Sequence, residues 1–399
     1  MNRLSVSSDM ANPTVRDGMP HMWLAKLYYF LFFAAIGAMA PFFNIYLEQR
    51  GLTGAQIGLL GSIPPLIGLV SGPFWAGIAD HTRRHQLILA LGVFVAGMLT
   101  FAYLWVTGFW LLAVLVMVYA FFRSPVPSLL DSAVLSMTKR TGANYGRQRL
   151  FGSLGYVVST YGVGLVLTAS TLNLFFVVHA LLLIFGCTVL SFFLPVETVS
   201  EPVDLRAGLR RLAHQRAYVS FLVMNVLQGI GSAAFFGFLG LRLVAIGATE
   251  QQVGAAFALA ALAEIPSMAM GGWVQARFRL SQMIVFGLLG VGSMYLLIGL
   301  ASTPMLVVAV TPFIGVFYGA YLMGGVAYAN EAAPPGLRAT GQSLMGAAQF
   351  GLGWAIGSLA AGLIWGSLGG GWVFLLAAVA LFTGAGIFAV GQRGYQVIA

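Results

Sequence analysis

Two ionisable residues stand where a charge is expensive to keep. Glu264 lies inside the apolar run 252–274 and Arg123 inside the run 109–135, each near the middle of a stretch long enough to cross a bilayer. A carboxylate at that depth faces other protein or a wet cavity. Desolvation disfavours its charged form, which equips Glu264 to take up and release a proton, unless it is a permanently paired structural glutamate. Pro266, two residues on, has no amide hydrogen to give and loosens the helix there. Arg123, in Phe121-Phe122-Arg123-Ser124-Pro125, needs a negative partner. That partner is either Glu264 or the carboxylate or phosphate of a solute, which a guanidinium grips with two parallel hydrogen bonds. Asn225 and Gln228 share a helix face by their three-residue spacing, Gln349 sits in a further apolar run, and Tyr321 belongs to a stripe with Tyr318 and Tyr328. These four are candidate solute contacts, although aromatic stripes more often serve packing. His179 reads as a satisfied interior histidine.

A second set of charges gathers at one end of the spans. Asp131 follows Arg123 by about 12 Å of helix rise and roughly 80° of rotation, so the two do not face each other. Its expected partners are Arg147 and Arg149, where the next span begins, in an ion-pair latch that breaks when that end opens. Asp80 with Arg83 and Arg84 forms a similar cluster, and Arg338 opens a later span as Arg149 opens an earlier one.

The elements that hold these residues are read from hydropathy. The chain is 59% hydrophobic and 8% charged, with a mean hydropathy of +0.90. Twelve spans are predicted near 23–47, 55–78, 86–106, 109–135, 148–169, 173–194, 217–244, 252–274, 281–301, 304–328, 341–366 and 370–391. The sequence is also duplicated: Gly51-Leu-Thr-Gly-Ala-Gln-Ile-Gly58 returns as Gly247-Ala-Thr-Glu-Gln-Gln-Val-Gly254, and Arg149-Leu-Phe-Gly152-Ser153 is echoed by Arg338-Ala-Thr-Gly341-Gln-Ser343. A duplicated helical bundle with its site between the halves is the build of a secondary transporter. The expected division is a tail 1–22, a six-helix bundle 23–194, a linker 195–216, a second six-helix bundle 217–391 and a tail 392–399, an all-α membrane protein. Of the 20 Lys and Arg residues, all but Arg50, Arg242 and Arg123 fall on the side of the termini, which the positive-inside rule assigns to the cytoplasm.

The net charge of +9 is then a matter of topology and not of nucleic-acid binding. The first 22 residues carry no apolar core ahead of a cleavage site, so no signal peptide is expected. One cysteine, Cys187, excludes an internal disulfide. No zinc-like spacing, nucleotide loop or nucleophile with a histidine base is present, so neither an enzyme nor a metal or other cofactor is expected. Without a nucleotide site, uphill movement of a solute draws on an ion gradient.

The basic loop Gly77-Ile-Ala-Asp80-His-Thr-Arg83-Arg84 resembles the signature of the major facilitator superfamily, and the resemblance runs the full length of the chain. Pro125-Val-Pro-Ser-Leu-Leu-Asp131 followed by Tyr145-Gly-Arg147-Gln-Arg149-Leu-Phe-Gly152-Ser153-Leu-Gly155-Tyr156 is similar to the branch of phenylpropionate permease-like, lactose permease-like and nucleoside proton symporters. The resemblance implies twelve helices, alternating access and proton symport, with Glu264 at the coupled site and Asp131, Arg147 and Arg149 around a gate. His81 replaces the usual arginine after Asp80, Gln275 replaces an acid in the second copy, and Glu331 falls at the end of its span. Span nine lacks the arginine of the lactose permease pattern and span ten lacks its histidine ahead of an acid, so galactoside specificity is not inherited. The expected function is uptake, with protons, of a small organic solute that is anionic or aromatic, by a monomer in a bacterial-type inner membrane. Proton-coupled efflux, symport of a neutral sugar or nucleoside, and a non-transporting receptor are the alternatives.

Overall fold

The computed structural model describes residues 19–168, 171–194, 215–333 and 337–393, and every regular element among them is helical. The expected tails and linker fall largely outside the described residues. The helices are α1 Met19–Gln49, α2 Gly54–Thr82, α3 His85–Ala102, α4 Phe109–Thr141, α5 Tyr145–Val166 and α6 Leu174–Ser191. After residue 215 come α7 Arg216–Ala245, α8 Glu250–Ala269, α9 Leu280–Leu300, α10 Pro304–Ala332, α11 Thr340–Leu368 and α12 Gly370–Gly391. A short helix, Gly271–Gln275, continues beyond α8.

Among the described residues, eleven helices are long and apolar enough to cross a membrane. The remaining one is α5, whose 22 residues give about 33 Å of rise, enough for the hydrocarbon core. Its composition is the difference: Arg147, Gln148, Arg149, Ser153, Ser159 and Thr160 lower its hydropathy. It packs along α1 on one side and α8 on the other, which keeps much of that polar surface from lipid.

Local sequence sets the helix ends. Gly51 and Gly247 turn the chain at φ 82° and 92°, where a side chain would be strained. Thr53 with Gln56 and Thr249 with Gln252 then close matching capping boxes on α2 and α8. Inside α4, Ser124 interrupts the helix because Pro125 has no amide hydrogen for the Phe121 carbonyl. The Trp75 indole of α2 donates to that carbonyl at 3.0 Å, and the Ser71 and Ser124 hydroxyls meet beside it. Single π-helical turns interrupt α6 at Leu182–Cys187 and α11 at Ala347–Gly353.

Helices α1–α6 pack into one bundle and α7–α12 into another. The bundles meet at the end remote from the chain termini, here the distal end. A Cβ on Gly54 would lie 2.7 Å from the Gly362 carbonyl of α11, and one on Gly254 would lie 2.6 Å from the Thr160 carbonyl of α5. Asn44 of α1 donates to the Gly237 carbonyl at 2.7 Å, and Trp365 of α11 donates to the Glu48 carboxylate at 3.0 Å. Toward the termini the bundles part. Leu69 of α2 still touches Gly351 of α11, but Gly72, Gly77, Gly272 and Gly346 face open space.

Candidate functional site

Between the bundles lies a cavity with two lobes that share Ile36, Tyr156, Phe236, Phe350 and Trp354. One lobe, about 370 Å³, takes most of its wall from the second bundle and holds Glu264, Arg149, Ser153, Ser232 and Tyr318. The other, about 480 Å³, takes most of its wall from the first bundle and reaches further toward the distal end, with Arg123, Tyr119, His179 and Asn44. The shared wall is aromatic, suited to a flat apolar body, with a few polar groups to orient it. The Tyr156 hydroxyl in that wall is buried beside Thr160.

Glu264 sits where α8 and α10 approach closely. A Cβ on Gly315 of α10 would lie 3.0 Å from the Glu264 amide nitrogen, and Ser267 of α8 donates to the Val316 carbonyl at 2.9 Å. Counted from the distal helix ends, Glu264 in α8 and Arg123 in α4 each lie about 21 Å along their helices. They nevertheless line different lobes, and among the described residues no carboxylate comes within 4 Å of Arg123. The expected pairing of Arg123 with Glu264 is therefore not seen. The cation that lines the same lobe as Glu264 is Arg149 of α5. Its guanidinium lies 4.0 Å from the Phe33 ring centroid and 5.6 Å from that of Tyr29.

This placement of Arg149 also changes the latch. Asp131 was expected to pair with Arg147 or Arg149, but it accepts a hydrogen bond from the Tyr29 hydroxyl at 2.5 Å, beside Tyr145. No cation among the described residues comes within 4 Å of it. Arg149 is drawn onto the aromatic rings of α1, and Arg147 points into the open. At the neighbouring loop, Asp80 meets His85 at 3.1 Å, while Arg83 and Arg84 are exposed and Arg83 closes α2 at φ 54°. Arg338 is exposed in the first turn leading into α11.

The four candidate solute contacts stand behind the cavity wall. Tyr321 donates to Asn225 at 2.6 Å and also contacts Gln349 at 3.2 Å, while Gln349 donates to the Tyr318 hydroxyl at 3.3 Å. Asn225 and Gln349 are fully buried, so this chain of groups satisfies itself inside the second bundle and only Tyr318 reaches the cavity. Gln228 bonds Ser232 at 3.0 Å, and Ser232 is the lining residue. The correction has a simple cause: polar groups within a membrane bundle find one another first. His179 is satisfied, with the Ala35 carbonyl 2.7 Å from Nδ1 and the Tyr119 hydroxyl 3.1 Å from Nε2. Tyr119 was missed; its place one turn before Arg123 was the available signal. Among the described residues no group of three His, Cys, Asp or Glu side chains is placed to hold a metal.

Comparison with known proteins agrees with this architecture. Maltose permease of Geobacillus stearothermophilus is 29% identical over 330 residues, 82% of this chain and 83% of that protein. The probable 3-phenylpropionic acid transporter of Escherichia coli (strain K12) is 29% identical over 372 residues, 90% of this chain and 95% of that protein. A solved mutant of the nucleoside transporter NupG shares the fold with a TM-score of 0.84 at 15% identity, covering 93% of this chain and 99% of that one. The model described as the MFS_1 like family matches residues 22–376. The chain thus belongs to the MFS_1 like family and is a transporter of the major facilitator superfamily.

Proposed function

We propose that the protein is a proton-coupled symporter that takes up a small organic solute, anionic with an aromatic or other apolar body, by alternating access. The observation that carries this is Glu264 and Arg149 facing one cavity between the bundles. Ionised Glu264 balances the guanidinium. A proton on Glu264 removes that balance and leaves a net positive charge in the cavity that a solute anion offsets, so proton and anion enter together and each lowers the cost of burying the other. The aromatic wall, the Tyr156 ring included, holds the body of the solute. With Lys and Arg concentrated at the terminal end, that end belongs in the cytoplasm of a bacterial-type inner membrane, and the arrangement closed at the distal end is the inward-open state.

The test is flux in reconstituted vesicles carrying a proton gradient. Glu264→Gln, which mimics the protonated acid, keeps solute exchange and loses accumulation. Accumulation that persists in this variant sinks the coupling assignment. Inside-out and right-side-out vesicles separate uptake from proton-driven efflux. Neutral sugar symport is the rival supported by the likeness to maltose permease, and a ligand panel of carboxylates, sugars and nucleosides separates it.

A further inference from the structure

The lobe nearer the distal end holds a cation that the coupling step does not use. Arg123 ends the first segment of α4, and Tyr119 stands one turn earlier on the same face. His179 comes from α6. Its Nδ1 lies 2.7 Å from the Ala35 carbonyl, which can only accept, so the ring proton sits on Nδ1. Nε2 of that neutral ring then accepts the Tyr119 hydroxyl hydrogen at 3.1 Å. With its hydrogen committed, the Tyr119 oxygen offers only lone pairs on its other side, where the Arg123 guanidinium stands.

Arg123 is thus placed by an uncharged oxygen and, 5.9 Å from its ring centroid, by Phe32. Neither contact neutralises it. A guanidinium carries five N–H donors, more than the Tyr119 oxygen beside it can occupy, and the lobe of about 480 Å³ lies before the rest. We propose that this lobe is a carboxylate subsite in which Arg123 binds the solute and Tyr119 and His179 are positioning residues. The subsite rests on the transport reading above for its class of solute and narrows it to aryl and arylalkyl carboxylates. The acid group sits on Arg123, and the ring lies on the wall of Tyr156, Phe236, Phe350 and Trp354 that joins the lobes.

Calorimetric titration of the full-length protein in detergent with 3-phenylpropionate, and with its uncharged amide, tests this without any proton gradient. The parent protein should bind the acid at least about tenfold more tightly than the amide, as a hydrogen-bonded charge pair implies. Tyr119→Phe and His179→Leu should each weaken the acid about tenfold and leave the amide within about twofold, because they release the guanidinium without emptying the lobe. His179→Gln, whose side chain can donate to Ala35 and accept from Tyr119, should restore the acid. Thermal melting of each variant identifies loss of fold. The proposal is overturned by a parent that binds neither ligand, by an Arg123→Gln protein that still prefers the acid, or by variants that lose both ligands equally. Unchanged acid affinity in Tyr119→Phe and His179→Leu removes the positioning role. A Glu264→Gln protein that still accumulates solute sinks the coupling reading and leaves these affinities as they are.

Discussion

Gly58 in the first copy of the repeat and Gly254 in the second occupy the same step, five residues after a threonine that caps its helix in the same way. Both stand at a crossing between bundles, Gly58 against α11 and Gly254 against α5. Deeper in the membrane the copies diverge. The 196-residue offset that superposes these motifs places Gly68 of α2 opposite Glu264 of α8. The echo between Arg149 and Arg338 ends likewise, one lining the cavity and the other exposed. Duplication supplies matched closures, and chemistry appears where one copy departs from the other.

That contrast can be broken at several points. The largest effect is expected at Glu264, where Glu264→Gln abolishes accumulation while Gly68→Ala leaves it within about twofold, since Gly68 has nothing within 4 Å of its missing Cβ. Next come the crossings. Gly58→Leu and Gly254→Leu should both force the distal end apart, because each new Cβ meets backbone that cannot turn aside; overpacking of about 1–3 kcal/mol shifts the conformational equilibrium about 5- to 150-fold. Distances between spin labels on the distal loops would lengthen in both variants, and a response in only one would end the equivalence. Arg149→Lys should weaken solute binding about fivefold by losing the guanidinium stacked on Phe33, whereas Arg338→Lys should stay within about twofold, as titration would show. The smallest effect belongs to the caps: Thr53→Ala and Thr249→Ala should each cost about 1 kcal/mol and cost it equally, read from chemical unfolding in detergent.

Much of the architecture was legible because lipid imposes a strict rule on length and polarity, and Glu264 and Arg123 stood out by violating it. The partners were less legible. Arg149 is long enough to leave Asp131 for the rings of α1, and Asp131 is met by Tyr29, a residue 102 positions away. Asn225, Gln349 and Tyr321 lie at cavity depth, but periodicity in a membrane helix does not say which face meets the cavity, since apolar residues cover lipid-facing and packed sides alike. The pairing of Tyr119 with His179 depends on how α4 and α6 are rotated, which no local pattern encodes.

The distal seal is made of backbone laid against backbone at glycines, with Asn44 on a carbonyl and Trp365 on Glu48 as its hydrogen bonds. Among the described residues no salt bridge crosses it. Dissolved ions weaken attraction between opposite charges but do little to van der Waals contact or to a short hydrogen bond from an uncharged donor. A closure of this kind holds equally well in dilute fluid and in brine, so the distal door of this transporter is indifferent to the salinity of the fluid it faces.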